Sequence, residues 1–473
     1  MARLTDPTLL RVLSHMKETI VDRHRGNEES LKYYAGKIRV ENLRIAIPAE
    51  LENLEVVSDW PTTVVNSYHE RMVFLGWRDQ GRFNMRETSF LTNASTAVWE
   101  ALLDSKIYGL GLLAIDQSVD GLWKTQSVTP MNGTLIWDAQ DQRPMYGMRT
   151  RQLHDGTIQD ILYLPYYTLY LKADGATDGT GPEIQDVVYT GMPIPLMFRM
   201  RNHLRSNQWY GRSMLTRSIR YYTQAAARTL MGMEYNREFY TAPKWHITNA
   251  QMNMFTESEN PSEREKIRAG WKATTGSVLT LPPPEPGDPE MQIGQFQANP
   301  PTPYVEQLNA YGQKISSATG IPVSYLGFVT ENPPSADAIR AWLERLIRSC
   351  QAQQRLTNPD LKHLGWALHS LNNDNPVDWR TFASSARELW ENPATPTLAS
   401  DADAIAKLAD VGTIGATSDW AYDRLQISEE EREDFRSAQR ARALQLIANR
   451  ASQPADPETP AARLSELALP EDV

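Results

Sequence analysis

The sequence predicts a multi-domain α+β protein, on three observations. Apolar residues recur at helical spacing over the first 34 residues. Between Leu110 and Lys172 the period shortens to that of strands, with Gly, Pro and Asp breaking the runs. Beyond Gly211, long helical stretches return. A length of 473 residues predicts roughly two to four domains at about 100–200 residues each. With 41% hydrophobic and 22% charged residues, the composition is that of an ordinary globular chain.

The elements follow in order. Asp6 to about Tyr34 reads as a helix carrying Leu9, Leu10, Leu13, Met16 and Ile20 on one stripe. Further helices are predicted from about Val64 to Phe74 and from Ser95 to Tyr108, the latter striped by Val98, Ala101, Leu102 and Ile107. Leu110–Ile115, Gly121–Thr125, Gly133–Trp137 and Met145–Thr150 read as antiparallel strands, continued by Ile161–Lys172, with a polar loop tip at Asp174 to Gly181. Arg212 to Tyr240 has no proline and places Leu215, Ile219, Tyr222, Ala226, Leu230 and Met233 on one face, a helix of about 28 residues and roughly 42 Å.

A compact module follows Pro243: a strand at Lys244–Thr248, a helix at about Ser262–Lys272, and strands at Ser277–Leu281 and Met291–Phe296 around the proline loop 282–286. Thr302 as N-cap and Pro303 in the first turn open another helix, which Gly320 ends. Ser335 is the predicted N-cap of the most regular helix, with Asp337 in its first turn and Ile339, Trp342, Leu343, Leu346, Ile347 and Cys350 at steps of three and four; it runs to about Leu371 past Pro359. The remainder is helical, at Ala402–Asp410, Ser418–Leu425 and Ser428–Arg450, with a proline-rich tail after Ala451.

Charge and motifs exclude more than they propose. Forty-eight basic against 58 acidic residues give a net charge of −10, which argues against gripping nucleic acid through bulk positive charge. A lone cysteine makes no intrachain disulfide and no thiolate zinc site. Charges interrupt Met1 to Ile20, so no signal peptide is expected, and no stretch approaches 18 uncharged apolar residues. Gly109, Gly111 and Ala114 fit a relaxed dinucleotide-binding pattern, yet a helix rather than a strand precedes them. No P-loop is present. His363 and His369 are six apart and cannot share a helix face as ligands, and the Asp174–Gly181 tip lacks EF-hand spacing. Cys350 sits on an apolar helix face, as a packing cysteine does. No catalytic residue, metal or cofactor is predicted.

The order of elements resembles the portal proteins of tailed double-stranded DNA phages, of the long-tailed, head-to-tail connector type. The resemblance rests on Tyr33, Tyr34 and Gly36; Trp60, Val64, Val65, Arg71, Gly76 and Trp77; Gly109 to Asp116 with Pro130, Trp137 and Asp138; and Tyr210, Gly211 and Ser213. Its sharpest part is Ile315 to Gly327, followed by Asn332, Pro333, Ser335 and Ala336. Val377, Asp378 and Trp379, which resemble a strand after the long helix, and Ala402 to Gly412 complete it.

The resemblance implies a ring, usually of 12 subunits, at one capsid vertex, through which DNA enters and leaves. Residues 1–210 and 336–395 would form the wing, 211–245 and 302–319 the paired stem helices, 246–301 the clip, 320–335 the tunnel loop, and 396–473 the crown and tail. Tunnel-loop residues would be Val329, Thr330, Glu331, Asn332 and Pro333. Channel candidates in the stem are Arg217, Arg220, Arg228, Tyr304, Gln307, Tyr311 and Lys314. The clip's Pro284, Glu285 and Asp288 would meet partners. The implied partners are other copies of the chain, double-stranded DNA passing without sequence preference, the terminase large subunit, major capsid and scaffolding proteins and a head-tail adaptor, with no membrane. The implied location is the virion, with the host cytoplasm during assembly. Another virion structural protein, such as an adaptor or minor capsid protein, and an unrecognised cytoplasmic enzyme are the competing readings.

Overall fold

The computed structural model describes residues 3–38, 58–248, 262, 292–295, 300–328 and 335–451, apart from 80, 139, 142, 174–180, 204–209, 242–244, 374–375, 395–397, 414, 416–417, 426 and 428. Two compact units are present, Met1–Pro393 and Ala394–Val473.

The first unit opens with α1 (Pro7–Tyr34), whose N-cap Asp6 accepts a hydrogen bond from the Thr8 N–H. Then come α2 (Trp60–His69), β1 (Phe74–Arg78), α3 (Met85–Leu91) and α4 (Ala94–Tyr108). The helix expected over Val64–Phe74 therefore ends at His69, and Phe74 already belongs to a strand. Phe74, Gly76 and Trp77 are buried and Leu75 exposed, because β1 pairs with a strand some 310 residues later, a partner no local pattern announces.

Eight strands follow: β2 (Leu110–Gln117), β3 (Trp123–Val128), β4 (Gly133–Asp138), β5 (Arg143–Gln152), β6 (Ile158–Tyr163), β7 (Tyr167–Lys172), β8 (Ile184–Tyr189) and β9 (Met197–Arg201). The expected run Ile161–Lys172 is two strands of a hairpin, turning at Pro165 and Tyr166. β4 to β8 form a five-stranded antiparallel meander, and β2 pairs antiparallel with both β3 and β9. α1 covers one face of the meander through Leu13 and Met16 against Met148, Leu162, Leu169 and Leu171. Deleting any one of these side chains to Ala costs about 2–5 kcal/mol. The two sheets are tied by a buried polar group: Asp116 accepts from Arg149 (2.6 Å) and from the Tyr163 hydroxyl (2.9 Å), while Arg149 also donates to Gln126 (2.9 Å). Removing one partner would strand a buried charge, at about 3–5 kcal/mol.

α5 (Arg217–Thr241) is shorter than the expected Arg212–Tyr240. β10 (Trp245–Thr248) and β11 (Gln292–Gln295) pair antiparallel, and α6 (Thr302–Thr319) leads back. The other predicted elements between 249 and 291 lie outside the described residues. Thr302 is the first helical residue of α6 rather than its cap: Pro301 holds the cap position and makes no side-chain cap bond. Gly320 does end the helix, at φ 82°. A 3-10 turn, Val323–Leu326, precedes α7 (Ala336–Asn372), 37 residues long and continuous through Pro359. The Ser335 hydroxyl accepts from the Ala338 N–H at 3.2 Å, as expected of its N-cap. Along the predicted apolar stripe, Leu346 and Cys350 are buried, whereas Ile339 and Trp342 are exposed. α7 packs on β9, where Asp360 meets Arg199 (3.6 Å) and Arg201 (3.4 Å), and Arg199 lies 3.3 Å from the Trp137 ring centre.

Val377–Trp379 is not the strand the resemblance implied. Asp378 caps a helix, α8 (Trp379–Ser385), by accepting from the Arg380 N–H, and the strand is β12 (Arg387–Trp390), paired with β1. The second unit contains α9 (Leu398–Asp410), α10 (Asp419–Arg424) and α11 (Glu429–Ala451). Its core is small: Ile405, Ala421 and Tyr422 are buried, Arg424 donates to the buried Asp401 at 2.8 Å, and the Tyr422 and Phe435 rings stack at 6.3 Å.

Candidate functional site

α5 and α6 form an antiparallel pair. Tyr222 faces Tyr311 (ring centres 6.0 Å apart), Thr229 donates to Gln307 (3.4 Å), Gln307 donates to the Tyr311 hydroxyl (2.8 Å), and Gly232 lies under Tyr304, so partner numbers fall on α6 as they rise on α5. The faces turned away from this seam differ. Arg217 and Lys314 are exposed, and Arg228 is half-buried. Arg220 is engaged elsewhere: it donates to Glu29 (2.9 Å), Ser30 (2.7 Å) and the Leu215 carbonyl (2.9 Å), and lies over Tyr33. It fastens the root of α5 to α1. Residues 201–245 carry eight Arg and Lys against only Glu234 and Glu238, an excess also reduced by the Arg237–Glu234 pair (2.9 Å) and the Arg201–Asp360 pair. Arg205 and Lys244 lie outside the described residues.

The root of α5 is a tight joint. The Asn202 N–H donates to the Gly109 carbonyl (3.1 Å), the Arg212 N–H to the Asn202 carbonyl (2.7 Å), and the Met214 N–H to the Lys106 carbonyl (2.8 Å). Ser213 donates to the Ile107 carbonyl (2.6 Å). The backbones approach so closely that a Cβ on Gly211, at φ 70°, would stand 2.4 Å from the Gly109 oxygen. These captured amides are why α5 starts at Arg217 and not at Arg212. Within the joint the buried Lys106 ammonium donates to the Asn202 side chain at 3.0 Å, and burial lowers its pKa to about 8. Sequence reasoning missed Lys106 and Asn202. A lysine in an amphipathic helix reads as solvent-facing, and only the glycines at 109, 111 and 211 hinted at close packing.

The segment after α6 is held at its base. Tyr68 donates to the Thr319 carbonyl (2.6 Å), Trp60 to the Leu326 carbonyl (3.3 Å), and Arg345 to the Ser317 carbonyl (2.8 Å). Arg71 donates both to the Tyr325 hydroxyl (2.9 Å) and to the Pro393 carbonyl (2.7 Å). Phe328 packs against Trp60 and over Gly312, where no side chain would fit. The near flank, Gly320–Phe328, is thus anchored to α2 and α7, while on the far side Ser335 caps α7. Val329, Thr330, Glu331, Asn332 and Pro333 lie outside the described residues, as do Pro284, Glu285 and Asp288 of the candidate clip.

The motifs set aside from sequence have tertiary explanations. A Cβ on Gly111 would fall 1.8 Å from the Ala101 oxygen, so the glycine lets β2 lie against α4. His363 stacks on Trp379 (4.1 Å, 7°) with Nδ1 3.0 Å from the Pro359 carbonyl, and His369 lies beside Phe83 and Phe382. Cys350 is buried, and its thiol is pushed up to about 11 by burial. Among the described residues, no three His, Cys, Asp or Glu side chains are grouped to hold a metal ion, and no helix is long and apolar enough to cross a membrane.

No protein-family model matches the chain. It is 25% identical over 458 residues to the portal protein of mycobacterium phage D29, covering 92% of this chain and 88% of that one. To the portal protein of mycobacterium phage L5 it is 25% identical over 456 residues, at 92% and 89% coverage. Over nearly its whole length the chain is similar to phage portal proteins. The uncovered 8% is shorter than the second unit of residues 394–473, so the similarity extends into both units. Among solved structures, the neck of a native gene transfer agent particle, computed with C12 symmetry, has a TM-score of 0.41 at 13% identity, over 78% of this chain and 89% of that one. The neck of the empty particle, computed with C6 symmetry, has a TM-score of 0.39 at 15% identity, over 78% and 88%.

Proposed function

We propose that copies of this chain close into a ring at one capsid vertex, usually of 12 subunits in the resembled family, and that the ring is the passage for double-stranded DNA in packaging and ejection. The observation that carries this reading is the end-to-end similarity to two portal proteins. The role is structural rather than catalytic, and its place is the virion, with assembly in the host cytoplasm.

In this reading residues 1–210 and 336–395 are the wing, and the α5–α6 pair is the stem of 211–245 and 302–319. Residues 246–301 are the clip, 320–335 the tunnel loop and 396–473 the crown. The antiparallel packing of α5 on α6 supports the pairing of the stem helices. Arg217 and Lys314, exposed on them, are the cations best placed to meet phosphate, with Arg228 a lesser candidate; Arg220 serves the root of the stem. Tyr304, Gln307 and Tyr311 serve the seam between the helices. The anchored Gly320–Phe328 flank supports a loop at 329–333 that reaches DNA from a base fixed on one side.

Purified protein should appear in electron micrographs as rings with an axial hole. Deleting Thr330–Pro333 should leave the rings intact and abolish DNA packaging; a monomer at all concentrations would overturn the ring, and full packaging by the deletion variant would overturn the loop's role. The clip, with Pro284, Glu285 and Asp288, is proposed to dock the terminase large subunit and later the head-tail adaptor, while capsid and scaffolding proteins surround the wing. Reversing Glu285 and Asp288 to Lys should weaken terminase capture in a pull-down, and undiminished capture would remove those two residues from the docking site.

A further inference from the structure

The chain contains a single Asn-Gly step, Asn132–Gly133, where the turn after β3 enters β4. Packing fixes the glycine. A Cβ at this position would stand 2.7 Å from Val128 Cγ1 and 3.2 Å from the Met148 carbonyl oxygen, closer than side-chain carbons approach their neighbours. Asn132 is exposed, and among the described residues its side-chain amide meets no hydrogen-bond partner. β4 is an edge strand of the five-stranded sheet.

The strand pairing leaves the Gly133 nitrogen unengaged as well. The Thr150 N–H donates to the Asn132 carbonyl at 2.7 Å, and Gly133 stands opposite Arg149. In an antiparallel ladder this makes Gly133–Arg149 a non-hydrogen-bonded pair, whose N–H groups point away from the facing strand. The Gly133 N–H is therefore turned to the open edge of β4, where Gly133 lines a small cleft with Thr19, Arg23, Tyr108 and Tyr210. The Asn132 main chain is held by its own N–H on the Thr129 carbonyl (3.0 Å) and by the Thr150 bond, the end rung of the β4–β5 ladder. An end rung opens more readily than those inside a sheet.

We propose that Asn132 is a site of spontaneous covalent modification, losing its amide through attack by the Gly133 nitrogen. When the Thr150 rung opens, rotation about the Asn132 Cα–C bond brings that nitrogen to Asn132 Cγ. Hydroxide takes the Gly133 amide proton, an N–Cγ bond forms, and the Cγ–Nδ2 bond breaks, Nδ2 leaving as ammonia. One water then opens the resulting succinimide at either of its carbonyl carbons, giving aspartate or isoaspartate. Both products place a carboxylate at the entry to β4. Isoaspartate also lengthens the main chain by one carbon, which carries the carbonyl out of reach of the Thr150 N–H and loosens the neighbouring turn, where Asn27 of α1 donates to the Pro130 carbonyl (3.3 Å). The tight packing that demands glycine at 133 thus makes the preceding asparagine reactive. The inference is independent of the ring reading.

Peptide mass mapping of the full-length protein tests it, after incubation at mildly alkaline pH with and without urea. Asn93 serves as the internal reference, being exposed and followed by Ala94, the first residue of α4. In the folded protein Asn132 should gain one mass unit and become a substrate for isoaspartate methyltransferase ahead of Asn93, and the Thr150 amide should lose its protection from hydrogen exchange as conversion proceeds. Asn132→Gln, which cannot close a five-membered ring, should retain both its mass and the Thr150 protection. An Asn132 that stays intact in the folded protein while the urea-unfolded chain converts would mean that the end rung does not open, and would overturn the site. Conversion no faster at Asn132 than at Asn93 would overturn it equally.

Discussion

Lys106 is 1% exposed, with the neutral Asn202 amide as its hydrogen-bond partner, so the fold carries an ammonium with no carboxylate to offset its desolvation. Burial lowers its pKa from 10.5 to about 8. Below that value both folded and unfolded chains hold the proton, and the folded state bears its full cost. As pH rises from about 8 towards 10.5 the folded state releases the proton first, so stability rises. Urea midpoints measured between about pH 7 and pH 9.5 should show this rise in the parent relative to Lys106→Met; parallel curves would mean that the ammonium is not desolvated. Residue-scale legibility was uneven. Ser335, Gly320 and Cys350 act as their types and spacing predicted. The contacts made by Lys106, Asn202 and Arg71 were not legible, because their partners are 96 residues away in the first two cases and 254 and 322 in the third.

At the scale of elements, helical periodicity located α1, α4, α6 and α7 closely, since an amphipathic stripe is a local property of the chain. The start of α5 and the helix and strand after α7 were misread because distant backbone decides them: the joint at Asn202 captures the amides of Arg212 and Met214, and β1 supplies the ladder for β12. Arg71 links two elements in the same long-range way, holding the Tyr325 hydroxyl and the Pro393 carbonyl on one guanidinium at the close of the first unit. A single hydrogen bond of this kind contributes about 0.5–1.5 kcal/mol. Tyr325→Phe should therefore speed amide exchange at Tyr325–Phe328 and at Glu391, whose N–H bonds the Val73 carbonyl, and leave β4–β8 unchanged. Unaltered exchange at Glu391 would show that Arg71 holds its two partners independently.

For the whole molecule, charge bears on the proposed passage of DNA. Twelve copies at −10 each would carry about −120, and two cations of the proposed stem are paired within the chain, Arg220 with Glu29 and Arg237 with Glu234. Each phosphate contact strengthens binding and resists movement. A passage therefore works with few contacts. Purified protein should retain duplex DNA weakly in filter binding at about 0.15 M salt; tight retention with a steep salt slope would contradict a passage.

The sequence by itself determined the helices whose stripes and caps are local, the antiparallel strands between 110 and 172, the acidity and the family resemblance. Only the tertiary structure decided which cations are spent on internal partners, why Gly109, Gly111 and Gly211 must lack side chains, and which apolar residues remain uncovered. The physical reason is range. Propensity, periodicity and capping act within a few residues, whereas burial, ion pairing and close backbone approach are fixed by parts of the chain that only folding brings together.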